Sequence, residues 1–120
     1  MAVAGAISEE GNLSTGGNLA FRGLSTALAQ VTKTYSIGDN DSIIAGDASS
    51  GAFTVAMPTA VGIAGRQYTV KKTDSTGNAV TIDPWGTETI DGRVSYYLDT
   101  QWKYLTIVSD GADWLIVANN

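Results

Sequence analysis

An all-β fold is predicted for most of this 120-residue chain: a small antiparallel β-sandwich or barrel-like domain over residues 32–120, preceded by an extended N-terminal arm over residues 1–31. Three observations predict it. From Lys33 onward, short apolar or alternating runs recur at intervals of about 8 to 12 residues. The gaps between them hold Gly, Asn, Asp and Pro in turn-forming orders. Residues 1–31, by contrast, are rich in Gly, Ala, Ser and Asn with Phe21 as their one aromatic, too little apolar surface to fold alone.

The elements follow in chain order. In the arm, Gly11-Asn12-Leu13 is echoed by Gly17-Asn18-Leu19, and Ala20, Leu24, Ala27, Leu28 and Val31 share one helical face, which predicts about two helical turns despite Gly23. Strands are predicted over 34–37, 42–45, 52–57, 67–72, 79–83, 88–90, 94–98, 104–108 and 114–118. Phe53, Val55 and Met57 alternate with Thr54 and Ala56, and Tyr68 and Val70 alternate with Gln67, Thr69 and Lys71, so each of these strands has one face inward. Asp74-Ser75-Thr76-Gly77-Asn78 supplies Gly and Asn for positive φ, and Asp83-Pro84-Trp85-Gly86 places Pro second in a turn. Asp91-Gly92 and Asp110-Gly111 are hairpin signals, and the second predicts that the last two strands form a β-hairpin.

Two of these strands carry a further message. Tyr104-Leu105-Thr106-Ile107-Val108 and Trp114-Leu115-Ile116-Val117-Ala118 are continuous apolar runs, the pattern of strands covered on both faces. A thin sandwich with many edges covers one face only, so a symmetric oligomer is expected to cover the other.

Composition excludes several function classes. With no His and no Cys, the chain has no imidazole base, no thiolate, no disulfide and no ordinary zinc, haem or iron–sulfur ligand set. No cofactor is expected. Seven basic against twelve acidic side chains give a net charge of −5, which disfavours nucleic acid and anionic membrane surfaces as partners. The start of the chain lacks a basic region before Glu9-Glu10, so no signal peptide is read there. The sequons at Asn12-Leu13-Ser14 and Asn40-Asp41-Ser42 are too short to carry weight.

Candidate chemistry is sparse. Asp83, Glu88 and Asp91 cluster around a turn, and paired carboxylates are the tools of glycoside hydrolysis; beside Gly, Pro and Thr, turn hydrogen bonding explains them better. Asp39-Asn40-Asp41 with Asp47 resembles a calcium loop, but Ile43 stands at the third ligand position and no Glu closes it. No catalytic and no metal-ligating residues are therefore assigned. Lys71-Lys72 and Arg66 read as a solvated strand face. Trp85, Tyr96 and Tyr97, with Asp91 nearby, are the candidates for contact with a partner or a glycan, because exposed aromatics stack on sugar rings or anchor interfaces; the adjacent tyrosines cannot both face inward.

From Tyr35 to Ala118 the order of motifs resembles a small β module of tailed-bacteriophage virion surface proteins, of the fibre, spike and head-decoration type. The matching stretches are Met57-Pro58-Thr59-Ala60, Gly65-Arg66-Gln67-Tyr68-Thr69-Val70-Lys71-Lys72, Val80-Thr81-Ile82-Asp83-Pro84, Glu88-Thr89-Ile90-Asp91-Gly92 and Val108-Ser109-Asp110-Gly111-Ala112-Asp113-Trp114. The resemblance implies a trimeric, non-enzymatic structural module at the particle surface. A short arm and one β-domain suit a decoration, cement or short head-fibre protein, with Leu13, Leu19, Phe21, Leu24 and Leu28 docking the arm into the major capsid protein or another virion protein. The alternative expectation is a tail-fibre or receptor-binding module that grips host surface glycans.

Overall fold

A computed structural model describes residues 16–120. Leu13 and the first copy of the Gly-Asn-Leu echo lie outside the described residues. Among those described are nine strands and no helix: β1 (Leu28–Val31), β2 (Tyr35–Ser36), β3 (Ile43–Gly46), β4 (Phe53–Ala56), β5 (Gln67–Lys72), β6 (Val80–Asp83), β7 (Tyr96–Leu98), β8 (Tyr104–Ser109) and β9 (Trp114–Asn119). The all-β expectation holds. The helical turns expected near residues 20–31 do not form; Leu28–Val31 is a strand with alternating exposure, because a period of two also fits so short a run. The stretch free to act as an arm thus ends before Leu28. The strand expected over 88–90 reduces to isolated bridges from Ile90 to Arg93 and Trp114.

The strands form two sheets, β1-β3-β5-β8-β9 and β2-β4-β6-β7. Up to β6, successive strands alternate between the sheets, so the chain winds as a coil with two strands per turn. Each turn stacks parallel on the last, with Leu28 beside Ile43 and Ile43 beside Thr69 in one sheet, and Tyr35 beside Val55 and Val55 beside Ile82 in the other. Antiparallel pairing enters only at the end of the coil, where β7 joins β6 and β8 and β9 extend β5. The sheets are therefore mixed, not antiparallel. Parallel neighbours need long crossovers, and here the strand of the opposite sheet supplies them.

The core lies between the sheets. Ile44, Val70, Leu105 and Ile107 from the five-stranded sheet meet Val55, Val80, Ile82 and Leu98 from the four-stranded one, all essentially inaccessible to solvent. Trp114 is fully buried and packs edge-on against Tyr68, with ring centroids 5.8 Å apart. Gly46 suits this packing: a Cβ there would lie 3.1 Å from Phe53 Cζ and 3.3 Å from a Val80 methyl, closer than those side chains allow without shifting. The β8–β9 hairpin forms where Asp110-Gly111 predicts it. Gly111 takes a φ of 97°, and the Asp110 carboxylate accepts the Asp113 N–H at 2.7 Å and the Ala112 N–H at 2.9 Å, which holds its carboxyl below the usual range.

One polar network is built into this interior. Lys72 lies at the end of β5 with the inward parity of Tyr68 and Val70, and is fully buried. Its Nζ donates to Asp74 Oδ2 at 2.6 Å, and the Asp74 side chain is itself only 6% exposed. Asp74 also accepts the Ala48 N–H at 2.7 Å, the Thr76 N–H at 3.0 Å and the Thr76 hydroxyl. Burial alone would raise the Asp74 pKa, but the bonds from Lys72, Thr76 and the two backbone N–H groups outweigh it and hold the carboxyl well below the ordinary range. The reading of Lys71-Lys72 as a solvated face is thus corrected for Lys72. Arg66 is half-buried and equally committed: it lies over the Tyr68 ring at 4.5 Å and donates to the carbonyls of Asp39 and Asp41.

Candidate functional site

Strand register decides what each sheet shows to solvent. Three rows of side chains cross the outer face of the five-stranded sheet: Leu28–Ile43–Thr69–Thr106–Ala118, Gln30–Ala45–Lys71–Tyr104, and Gln67–Val108–Leu115. Leu28 is 57% exposed, Leu115 43% and Ile43 36%, and Val117, at a bulge in β9, is 53% exposed. The Thr69 and Thr106 hydroxyls hydrogen bond to each other at 2.8 Å, which leaves this part of the face with little call for water. Lys71 is the only charged side chain in the three rows. Its ammonium lies 5.7 Å from the Trp102 ring centroid and 5.8 Å from that of Tyr104. No Asp or Glu occupies these rows, although the chain carries a net −5.

Trp102 marks the rim of this face. It is 54% exposed and takes a φ of 70°, a left-handed backbone that costs a bulky residue about 1–3 kcal/mol. The strain is maintained by the bond from its N–H to the Lys72 carbonyl at 2.9 Å and by the Asn120 amide on its own carbonyl at 3.2 Å.

The outer face of the four-stranded sheet has a different chemistry. Its rows are Ser36–Ala56–Asp83 and Thr54–Thr81–Tyr97. Tyr97 is 58% exposed, whereas Tyr96 points inward, is 7% exposed and lies under the Arg93 guanidinium. Of the adjacent tyrosines, Tyr97 alone is available for contact. Trp85, beyond the end of β6, is 61% exposed and flanks a cleft of about 260 Å³ together with Ser36, Met57, Pro58 and Thr59.

The candidate carboxylates are mostly occupied by structure. Glu88 accepts the Thr59 hydroxyl at 2.6 Å and the Ala60 N–H at 2.8 Å, tying the loop after β4 to the loop after β6. Asp91, at a φ of 48°, accepts the Ile116 N–H at 3.1 Å and anchors its turn to β9. Asp83 alone of the three is exposed with no side-chain hydrogen bond among the described residues. In the loop resembling a calcium site, Asp41 accepts the Tyr35 hydroxyl at 2.8 Å and the Gly38 N–H at 2.9 Å, and Asp47 accepts the Ser49 N–H at 2.9 Å. Among the described residues no group of three or more Asp or Glu is placed to hold a metal ion.

The arm residues Leu19, Phe21 and Leu24 are 49%, 57% and 68% exposed, and Leu28 is the first residue of β1. Sequence reasoning did not single out Ile43, Leu115, Val117 or Trp102 as surface residues. The signal was the parity of the apolar runs, since a strand that is apolar at both odd and even positions must show half of them outward.

The fold and its two unlike faces define a two-sheet all-β module, a parallel coil closed by antiparallel strands. No protein-family model and no curated protein matches the chain.

Proposed function

We propose that this chain is a non-enzymatic structural module of a phage virion surface, a decoration, cement or short head-fibre protein that trimerises through the outer face of its five-stranded sheet. The observation that carries the reading is the contrast between that face and the rest of the molecule. A chain with a net charge of −5 repels its own copies, yet one face has exposed Leu28, Ile43, Leu115 and Val117, no acidic residue in its rows, and a single cation lying over aromatic rings. Two copies approach there at the lowest electrostatic cost and with the largest apolar gain. Three-fold stoichiometry and the virion setting rest on the motif resemblance from Tyr35 to Ala118. The exposed Leu19, Phe21 and Leu24 support tethering of the arm to a capsid or other virion protein. Three linked arms would raise the effective concentration at such a surface.

The test is sedimentation of the full chain beside Leu115→Glu and Val117→Glu. Each acidic substitution is expected to weaken association at least tenfold while leaving the protomer folded, because these side chains are outside the core. Parent and variants sedimenting alike would refute this interface. A second expectation concerns Trp102→Gly. It relieves the positive φ, so the protomer gains about 1 kcal/mol in denaturant titration, while association weakens through loss of the rim aromatic. Unchanged association in this variant would remove Trp102 from the interface.

A further inference from the structure

The four-stranded sheet carries a second surface with its own chemistry, independent of assembly. Its outer rows contain hydroxyls from Ser36, Thr54 and Thr81, the carboxylate of Asp83, which has no side-chain hydrogen bond among the described residues, and a single aliphatic, Ala56. Tyr97 ends the second row and Trp85 follows the end of β6, both more than half exposed. Tyr97 pairs with Thr81, the second residue of β6, and Trp85 comes two residues after that strand ends at Asp83.

We infer that this face binds a neutral oligosaccharide, with one sugar ring stacked on Trp85 in its cleft, a later ring on Tyr97, and hydroxyls between them donating to Asp83. A pyranose ring has a C–H face and a hydroxyl edge. The first suits an exposed indole or phenol ring, and the second suits a free carboxylate with neighbouring hydroxyls. A folded protein partner would need a broader apolar patch than Ala56, Pro58, Val94 and the two rings supply. An anionic sugar is opposed by Asp83, since the rows of this face contain no Lys or Arg, although Arg93 and Lys103 share a depression with Tyr97 and Asp99, so the discrimination falls at the Trp85 end. The cleft of about 260 Å³ beside Trp85 is smaller than the roughly 300–1,000 Å³ of drug-sized sites, so it takes a single ring. Thr59 at its edge already donates its hydroxyl to Glu88 and accepts the Val61 N–H at 3.2 Å, which leaves one lone pair for a sugar hydroxyl.

The experiment exposes the full chain to an array of neutral and sialylated oligosaccharides, then follows the best neutral binder by NMR on the indole N–H of Trp85. Binding of neutral members is expected, with the Trp85 signal moving and those of buried Trp114 and rim Trp102 unmoved. Trp85→Ala and Tyr97→Ala are each expected to weaken binding about tenfold, and Asp83→Asn severalfold, with the melting curve of each variant superimposing on the parent. Absence of binding by any neutral oligosaccharide at millimolar concentration, equal binding by Trp85→Ala, or preference for the sialylated members would overturn the inference. These outcomes do not depend on whether the chain trimerises, which sedimentation reads separately.

Discussion

Asp74→Ala is expected to destabilise the fold by about 3–5 kcal/mol, the range for removing one partner of a buried ion pair, against a total of about 5–15 kcal/mol for a domain of this kind. The loss is large because Lys72 stays behind. Its ammonium is fully buried at the end of β5, with a 3.4 Å contact to the Thr76 hydroxyl as its remaining bond, and two backbone N–H groups lose their acceptor as well. Replacing both partners, as Lys72→Met with Asp74→Leu, is expected to recover part of the loss, because an apolar pair of similar volume leaves no uncompensated charge while the Ala48 and Thr76 N–H groups still lack their acceptor. The measurement is the denaturant midpoint at unchanged slope and fixed protein concentration. A single variant within 1 kcal/mol of the parent would contradict this role for the pair.

The same carboxylate sets an acid limit. Its folded pKa is depressed below the unfolded value of about 3.9, so its contribution is complete above that pH and is lost as the pH falls through the folded pKa. Stability of the parent should therefore decline from about pH 4 downward. Asp74→Asn, less stable at neutral pH, should show a shallower decline over that window.

Trp114→Ala carries the second large effect, about 3–5 kcal/mol, the cost of emptying an aromatic site in a packed core. Trp114 begins β9, is fully buried, and stacks edge-on with Tyr68 of β5. Its backbone also closes the module, donating to the Thr89 carbonyl at 2.9 Å and accepting the Asp91 N–H at 3.0 Å, so the segment after β6 is held against the five-stranded sheet at this residue. The indole N–H, however, is buried without an acceptor among the described residues, a condition that costs about 1–3 kcal/mol. Trp114→Phe is accordingly expected to lose far less than Trp114→Ala, since it keeps a ring against Tyr68 and removes the orphaned donor. Equal losses for the two variants would show that ring packing is not the origin of the effect.

Much of the fold was legible because strand parity and turn chemistry are local. Gln67–Lys72 matches its strand end to end, and Asp110-Gly111 places the β8–β9 hairpin. The pairing direction was not legible. Phe53, Val55 and Met57 alternate in the same way whether their neighbour runs parallel or antiparallel, and parallel strands usually declare themselves by intervening helices. Here the crossovers are strands of the other sheet, so nothing in the local pattern marks the coil. β1 was hidden for another reason, since Val31 is three residues from Leu28, a helical spacing, and two from Ala29, the alternating one that the strand uses. The burial of Lys72 was written in its parity with Tyr68 and Val70, and its charge obscured it.

The candidate faces were legible in part. The apolar runs around Ile107 and Ile116 announced that their strands have apolar side chains on both sides. Which residues complete that surface depends on register across five strands, and Leu28 and Ile43 join Leu115 only through the parallel pairs. Likewise Tyr96 and Tyr97 were indistinguishable until pairing with β6 turned Tyr96 inward beside Ile82 and Tyr97 outward beside Thr81.

Sedimentation equilibrium of the intact chain across the micromolar range tests assembly through the five-stranded sheet most directly. A species of three times the 12.5 kDa chain mass is predicted, shifting toward one chain mass in Leu115→Glu. A single 12.5 kDa species at every concentration, unchanged by that substitution, would contradict it.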